Sequence, residues 1–572
     1  MWNMGRFESR TIFFSTSPRN PELIPKYLRL IREKDLENKL YNETLQIKFY
    51  DMLSQANLAG VSNGGKSKDK AFAGRDKLTR APQALGFLIP KRNKPLKITE
   101  AGNLLMKEAL FEDVMIHQLL KFQLPSALHK ETKNKNEGRF NIKPFLEIIR
   151  LVYELEYLTY QELSIFGITM TDYRKFNETK QDVLEYRAKR KNSRGNKSLK
   201  KFYEEKRNEI FKELYIDILD NKNYKVRENT ENSQEKFLKT KLSNSLDYTD
   251  SIFRFLRATG LFVLTKGKSI SISNERIKEV QYILKNVERD IVSPDISIDK
   301  YFKYLSNPNI PKLKNDDLRE IQFEIESKGI KVDSDDLYSL KEELNRQRVL
   351  KREQKLLEIT KKLKRKDKED VEDIIETYSQ IIKNEIPDRS AVMEWNTWRA
   401  AVMINNGDIT GNFIPDDNGY PISTAGGSKG DIVGDYGSFN ILYEVTLSQG
   451  KKQYDMEGEP VPRHVGELKK KSGKDTFGFF IAEKINPESV YHFYLTTGTN
   501  SKIYNGNISV IPINLSDFIH IFKLSIEKNI QPSDFLDLHN YSINMSRESI
   551  INGENEEYWY DKVMKYILNK VS

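Results

Sequence analysis

Three carboxylates stand at equal spacing in the last third of the chain: thirteen residues separate Asp431 from Glu444, and thirteen more separate Glu444 from Glu457. Asp431 follows Gly426-Gly427-Ser428-Lys429-Gly430, a flexible approach where backbone can come close to a phosphate. Glu444 lies near the end of the apolar run Ile441-Leu442-Tyr443-Glu444-Val445-Thr446, where a purely structural strand has little use for a charge. Glu457, in Met456-Glu457-Gly458-Glu459-Pro460, is expected to begin a helix that faces the same cluster, and Glu394 to face it from Met393-Glu394-Trp395-Asn396-Thr397-Trp398. Oxygen donors of this kind suit Mg2+, which keeps several waters and needs one or two carboxylates besides a phosphate. Phosphodiester hydrolysis uses such an ion to neutralise the phosphate, generate hydroxide and stabilise the leaving oxygen. Asp431 and Glu444 are the natural metal pair. Arg463 and His464 can hold phosphate or support the ligands, whereas His117, His129, His492, His520 and His539 show no ligand spacing.

The elements that must position these groups fall into several cores, because 572 residues exceed what one core accommodates. The chain has no cysteine, which excludes disulfides, cysteine-ligated zinc and thiol catalysis and fits a reducing cytoplasm. It contains no apolar run long enough for a membrane span, and its first residues lack a signal-peptide core. The net charge of +10 is modest for this length and points to nucleic acid only where the cations cluster.

Such clusters occur beside a repeated local pattern. Ala81 to Leu88 leads through a basic turn into Leu96-Lys97-Ile98-Thr99-Glu100-Ala101-Gly102, two short strands followed by a helix opened by Thr99. Leu261 to Ile272 repeats the hairpin, after a helical Asp250–Thr259 segment carrying Arg254 and Arg257. Phe145 to Tyr160 reads as an amphipathic helix, and Tyr160 to Gly167 as the start of a helix-turn-helix. Residues 1–285 are therefore expected to form winged-helix-like units that contact DNA, with Arg75, Lys77, Arg80, Arg254 and Arg257 as candidate contacts. The basic run from Arg187 to Arg207 reads as a mobile arm or an exposed helix end. Residues 286–385 read as a helical linker rich in Leu, Lys and Glu. Residues 386–572 alternate strands (Ile441–Thr446, Gly478–Ala482, Val490–Leu495, Ile508–Pro512) with helical segments such as Leu515–Ser525, an α/β pattern. The expected class is multidomain α+β.

The chain resembles the AlwI-type type IIS restriction endonucleases (AlwI, PleI, MlyI and related strand-specific nicking enzymes) over most of its length. The resemblance is carried by Ser15-Thr16-Ser17-Pro18-Arg19-Asn20-Pro21, Arg75-Asp76-Lys77 and Ile98-Thr99-Glu100-Ala101-Gly102. It continues through Phe253 to Val263, Glu394-Trp395-Asn396-Thr397-Trp398, Glu444-Val445-Thr446 and Met456 to His464. It implies an N-terminal region that recognises a short asymmetric duplex sequence, a helical linker and a C-terminal PD-(D/E)xK nuclease domain. That domain would be Mg2+-dependent, with Mn2+ able to substitute, and would cut a few base pairs outside the site. It also implies Asp431, Glu444, Glu457 and Glu394 as catalytic carboxylates, Asp431 and Glu444 binding the metal. The implied partners are double-stranded DNA, a transient homodimer or small second nuclease subunit, and a cognate methyltransferase. Two alternatives stay open: a nicking enzyme or large subunit of a heterodimer, and a non-catalytic winged-helix DNA-binding protein. Thr446 stands where the wider nuclease pattern has lysine, leaving Lys451, Lys452 or Gln453 to orient the nucleophile.

Overall fold

A computed structural model describes residues 9–56, 58, 69–130, 139–191, 196–222, 224, 232–265, 269–331, 334–404, 407–424, 429–504, 506–528 and 530–571. The Gly426-Gly427-Ser428 approach, the Lys266-Gly267-Lys268 turn and residues 192–195 of the basic run lie outside them. The chain divides into two compact units, one formed by Met1–Ala59 and Lys68–Leu350, the other chiefly by Lys351–Ser572. The division falls inside the segment read as a linker, within the helix Leu337–Leu363. No helix among the described residues is long and apolar enough to cross a membrane.

In the first unit, helices Glu43–Gln55 and Lys70–Thr79 precede an antiparallel hairpin, β1 (Leu88–Ile89) and β2 (Lys97–Ile98), with Leu88 opposite Ile98. Thr99 caps the next helix, Glu100–Leu105: its hydroxyl accepts the Gly102 N–H at 3.1 Å and donates to the Gly86 carbonyl at 2.7 Å. The same order recurs farther on. Helix Gln234–Arg257 precedes β4 (Phe262–Thr265) and β5 (Ser269–Ile272), and β3 (Leu158–Thr159) extends that sheet along β5. The helix expected over Phe145–Tyr160 is Pro144–Leu155, ended by Glu156 at φ 67°. Thr159 then starts a new helical turn through a reciprocal bond with Glu162. The basic run is helical on both sides of its undescribed centre, as Phe176–Lys191 and Asn196–Leu214, rather than an arm.

The second unit is built on a five-stranded sheet of order β12-β11-β10-β9-β6, with β6 at Asp408–Gly411, β9 at Ile432–Asp435, β10 at Phe439–Thr446, β11 at Asp475–Ala482 and β12 at Val510–Asn514. A small separate hairpin joins β7 (Ile414–Pro415) and β8 (Pro421–Ser423). β10, β11 and β12 run parallel, while β9 and β6 are antiparallel additions at the other edge. The two central strands are buried almost end to end, as parallel strands with covered faces must be. Tyr443, Phe480, Ile511 and Trp559 are among the side chains closing the core.

The strand expected at Val490–Leu495 is instead part of helix Pro487–Gly498. Asn486 accepts the Glu488 and Ser489 N–H groups and Pro487 occupies the first turn, so capping overrides the β-like composition.

Helix Lys70–Thr79 depends on close contact with its neighbour. A Cβ on Gly74 would lie 2.1 Å from the Gln46 carbonyl oxygen, so only glycine permits this approach. Gly74→Ala is expected to destabilise the first unit by about 1–3 kcal/mol through overpacking, read from urea unfolding. An unchanged midpoint would show that the two helices do not pack this tightly in solution.

Candidate active site

The thirteen-residue spacing between Asp431 and Glu444 is a hairpin register. β9 and β10 pair antiparallel with Ile432 opposite Tyr443, so the residue before β9 and the residue after Tyr443 are brought side by side. Asp431 is fixed there from two sides. Its carboxylate accepts the Val445 N–H at 2.8 Å, and its carbonyl accepts the Asn412 N–H at 2.9 Å. Gly430 leaves room for the pair, since a Cβ there would meet Leu442 at 2.4 Å and the Glu444 carboxylate at 3.0 Å.

Glu444 is buried at 5% exposure, and its Oε1 lies 2.8 Å from Nδ1 of His464 on helix Pro460–Ser472. That distance is a hydrogen bond when Nδ1 carries the proton. Nε2 of the same ring is buried and has no hydrogen-bond partner among the described residues. Glu457 returns to the cluster as the last residue of helix Lys451–Glu457, rather than the first residue of a helix as its sequence suggested. The chain turns at Gly450 (φ 58°), and Pro460 starts the next helix three residues after Glu457.

The charges act strongly on one another. Burial and the neighbouring Glu444 charge push Asp431 well above the usual carboxylate range. Burial and Glu457 do the same to Glu444, against a lowering by Arg463. Burial raises Glu457, while a hydrogen bond from the Thr446 hydroxyl and the nearby His464 and Lys452 pull it partly back. Burial and the Arg463 charge push His464 below its ordinary value, so its neutral form is favoured. Hard oxygen donors that raise one another's proton affinity are a donor set that suits a divalent cation.

The other residues proposed from the sequence fall in different places. Glu394 is buried on helix Arg389–Ile404, which packs against β8, β9 and β10. Arg463 is engaged on its own helix by Glu459 at 3.1 Å and Glu467 at 3.6 Å. Gln453 is not available to orient a nucleophile. Its amide donates to the Ser448 and Lys484 carbonyls and accepts the Asn486 N–H, which ties loop to loop. Arg257 is 0% exposed, so the assignment as a DNA contact is withdrawn: the last turn of its helix faces the core. Arg254 pairs with Asp250 at 3.0 Å, Arg80 with Asp76 at 2.7 Å, and Lys77 is half-buried with its pKa lowered by burial.

A second carboxylate group was not visible in the sequence. Among the described residues, Asp113, His117 and Asp316 place ligand atoms within 4.8 Å of one another. Lys341 already supplies the cation there, 2.9 Å from Asp113 and 2.5 Å from Asp316. Burial alone would raise Asp316, but His117 at 2.9 Å and the Lys341 ammonium hold it down at about 2. This is a closed charge network within the first unit, and its partners are too far apart in sequence for local spacing to reveal.

The sequence model of the AlwI restriction endonuclease family matches residues 83–521, more than half of the chain. The protein belongs to that family. It is a restriction endonuclease, hence a deoxyribonuclease that binds DNA, and the family generally uses a divalent metal. Two solved structures are similar. One is the small subunit of the heterodimeric restriction endonuclease R.BspD6I, 26% identical over 35% of this chain and 100% of that one, with a TM-score of 0.28. The other is the BpuJ1 endonuclease binding domain crystallised with pyrene- and phenanthrene-modified DNA, 14% identical over 50% of this chain and 92% of that one, with a TM-score of 0.33. These scores are too low to transfer a fold, and membership rests on the family match. No curated protein matches the chain significantly.

Two variants separate the clusters. Asp431→Asn removes one of several buried like charges and is expected to raise the metal-free melting temperature by roughly 2–4 °C while abolishing cleavage. Asp316→Asn breaks a buried pair and is expected to cost about 3 kcal/mol of stability while cleavage persists in the folded fraction. Loss of cleavage in folded Asp316→Asn, with activity retained in Asp431→Asn, would reverse the assignment.

The raised carboxylates also set a pH dependence. Their folded pKa values lie above the unfolded ones, so the unfolded chain releases these protons first. The metal-free protein therefore loses stability as pH rises from the ordinary carboxylate range through the raised values. A divalent cation binds the ionised forms, so Mg2+ is expected to raise the melting temperature more in mildly alkaline than in mildly acidic buffer. A pH-independent gain would argue against these carboxylates as ligands.

Proposed function

We propose that the protein is a type IIS restriction endonuclease that recognises a short asymmetric duplex sequence and hydrolyses DNA a few base pairs outside it with Mg2+. The observation that carries this reading is the hairpin register that sets Asp431 beside Glu444, with His464 on one carboxylate and Glu457 nearby. In this reading residues 1–285 recognise DNA, 286–385 connect, and 386–572 form a PD-(D/E)xK nuclease domain.

Asp431 and Glu444 would hold the metal, and Glu394 and Glu457 flank them. Bound Mg2+ would neutralise the scissile phosphate and lower the pKa of water. The chain's own groups do the rest. The Val445 N–H and His464 Nδ1 fix the orientation of the two ligand carboxylates. The Thr446 hydroxyl holds the Glu457 carboxylate, whose raised pKa suits it to accept the proton of the attacking water. In-line attack would break the bond to the 3′ oxygen, leaving a 5′-phosphate and a 3′-hydroxyl. Thr446 thus takes over the positioning that lysine performs in the wider pattern, acting through Glu457 rather than as a cation.

One carboxylate cluster cuts one strand, so double-strand cleavage would require a second copy of the chain or a second nuclease subunit. A nicking enzyme is the alternative that this arithmetic favours. Digestion of supercoiled plasmid with Mg2+ distinguishes them: linear product supports the double-strand cutter, and a reaction that stops at open circle supports nicking. Specific binding without cleavage in Mg2+ or Mn2+ would leave only a DNA-binding role. Thr446→Val is expected to lower the single-turnover rate about 10- to 100-fold with little change in DNA affinity, and Thr446→Ser to restore most of it. Equal rates in Thr446→Val and the wild type would reject the positioning role.

A further inference from the structure

The five cations considered as DNA contacts are not equivalent once their surroundings are known. Arg257 is buried, Arg254 and Arg80 are held by carboxylates, and Lys77 is half-buried. Arg75 differs from all four. It is exposed on helix Lys70–Thr79, has no carboxylate partner among the described residues, and lies over the ring of Phe72 at 5.2 Å. Phe72 is itself 42% exposed, so the ring and the guanidinium above it both face solvent. The helix behind the pair is pinned by the Gly74–Gln46 contact and by the Asp69 cap on the Phe72 N–H, so it presents a pre-oriented guanidinium.

The hairpin that follows supplies a second group of cations. Its turn carries Arg92 and Lys94, both exposed and neither with an ion-pair partner among the described residues. The turn is fastened to Tyr41: the Asn93 N–H donates to the Tyr41 carbonyl at 3.0 Å, and the Tyr41 N–H donates to the Lys94 carbonyl at 2.9 Å. Arg75 lies close enough to the Tyr41 hydroxyl for its charge to act on it. Tyr41 therefore lies between the helix that carries Arg75 and the turn that carries Arg92 and Lys94, three exposed cations. On the later helix–hairpin unit the two arginines of the last helical turns are engaged differently, Arg254 by Asp250 and Arg257 by burial.

We propose that the Lys70–Thr79 helix and the β1–β2 turn form the base-reading surface of the protein, with Arg75, steadied by Phe72, reading a guanine edge in the major groove and Arg92 and Lys94 gripping the phosphates beside it. The chemistry separates the roles. A planar guanidinium can donate two parallel hydrogen bonds to guanine O6 and N7, which an ammonium cannot reproduce. Cations on a turn contact phosphate without regard to sequence. The inference rests on the reading of the chain as a sequence-specific DNA enzyme.

The test is selection from a pool of duplexes randomised over a central block, with full-length protein in EDTA, followed by anisotropy titrations at several salt concentrations. Melting curves confirm that each surface variant is folded. The wild type is expected to enrich one short motif. Arg75→Ala and Arg75→Lys should each lose the preference at one G·C pair and bind the motif roughly 10- to 100-fold more weakly, the other positions keeping their preference. Phe72→Ala should relax the same position to a smaller degree. Arg92→Ala and Lys94→Ala should weaken all duplexes alike, each reducing the slope of log affinity against log salt by about one. Arg75→Ala that still enriches the complete motif at wild-type affinity overturns the proposal while leaving the enzyme reading intact. A wild type that enriches no motif overturns both.

Discussion

The antiparallel register of β9 against β10 is the constraint on which the second unit depends. Once Ile432 sits opposite Tyr443, Asp431 and Glu444 cannot avoid each other. Two carboxylates brought together in a buried place oppose folding, because each loses water and gains a like charge. The surrounding structure is organised to offset this. The Val445 N–H is aimed at Asp431, His464 reaches Glu444 from the next helix, and Arg463 adds a positive field. The core beneath must be firm enough to hold the pair against its own repulsion, and the end-to-end burial of β10 and β11 provides that firmness.

The first unit holds a second cluster of acids in which the charge is balanced from within. Asp113, Asp316 and His117 are drawn together as tightly as metal ligands, yet Lys341 lies among them and closes the charge balance from within. There Asp316 is held down; in the second unit Asp431 and Glu444 are pushed up. That contrast in direction is more informative than the compactness of either cluster. A group of acids that lowers its own pKa values with a resident ammonium has no need of a further cation, whereas one that raises them stores a preference for binding one.

Local rules made much of this legible in the sequence. The β4–β5 hairpin, the Thr99 cap and the β10 run followed from short-range patterns, whereas Ala81–Ala84, expected within the first strand of the β1–β2 hairpin, is a helical turn, and β9, whose register sets Asp431 beside Glu444, was not foreseen. What failed did so for identifiable reasons. Val490-Tyr491-His492-Phe493-Tyr494-Leu495 has the composition of a strand, but the preceding Asn486-Pro487 supplies a helix cap and first turn. Arg257 was placed by charge alone, and its helix turns that position inward. Gln453 was a candidate for chemistry until its amide was found bound to backbone at both ends. The Asp113–Asp316–Lys341 network joins residues roughly 200 apart, a contact that no local pattern encodes.

The absence of lysine two residues after Glu444 fits the electrostatics of the cluster. A lysine at 446 would place a full positive charge beside Glu457 and near Glu444, and would lower both toward ordinary carboxylate values. Glu457 would then be a weaker base at the moment a water must lose its proton. Threonine offers a hydrogen bond without a charge, so it fixes the direction of the carboxylate while leaving much of its basicity in place. The hydroxyl also accepts the Ser448 N–H at 3.1 Å, which ties its own orientation to the turn leading into the Glu457 helix. Replacing the lysine is therefore not the loss of one catalytic part. In the proposed reading it would shift the task from a cation to a carboxylate whose direction the Thr446 hydroxyl fixes.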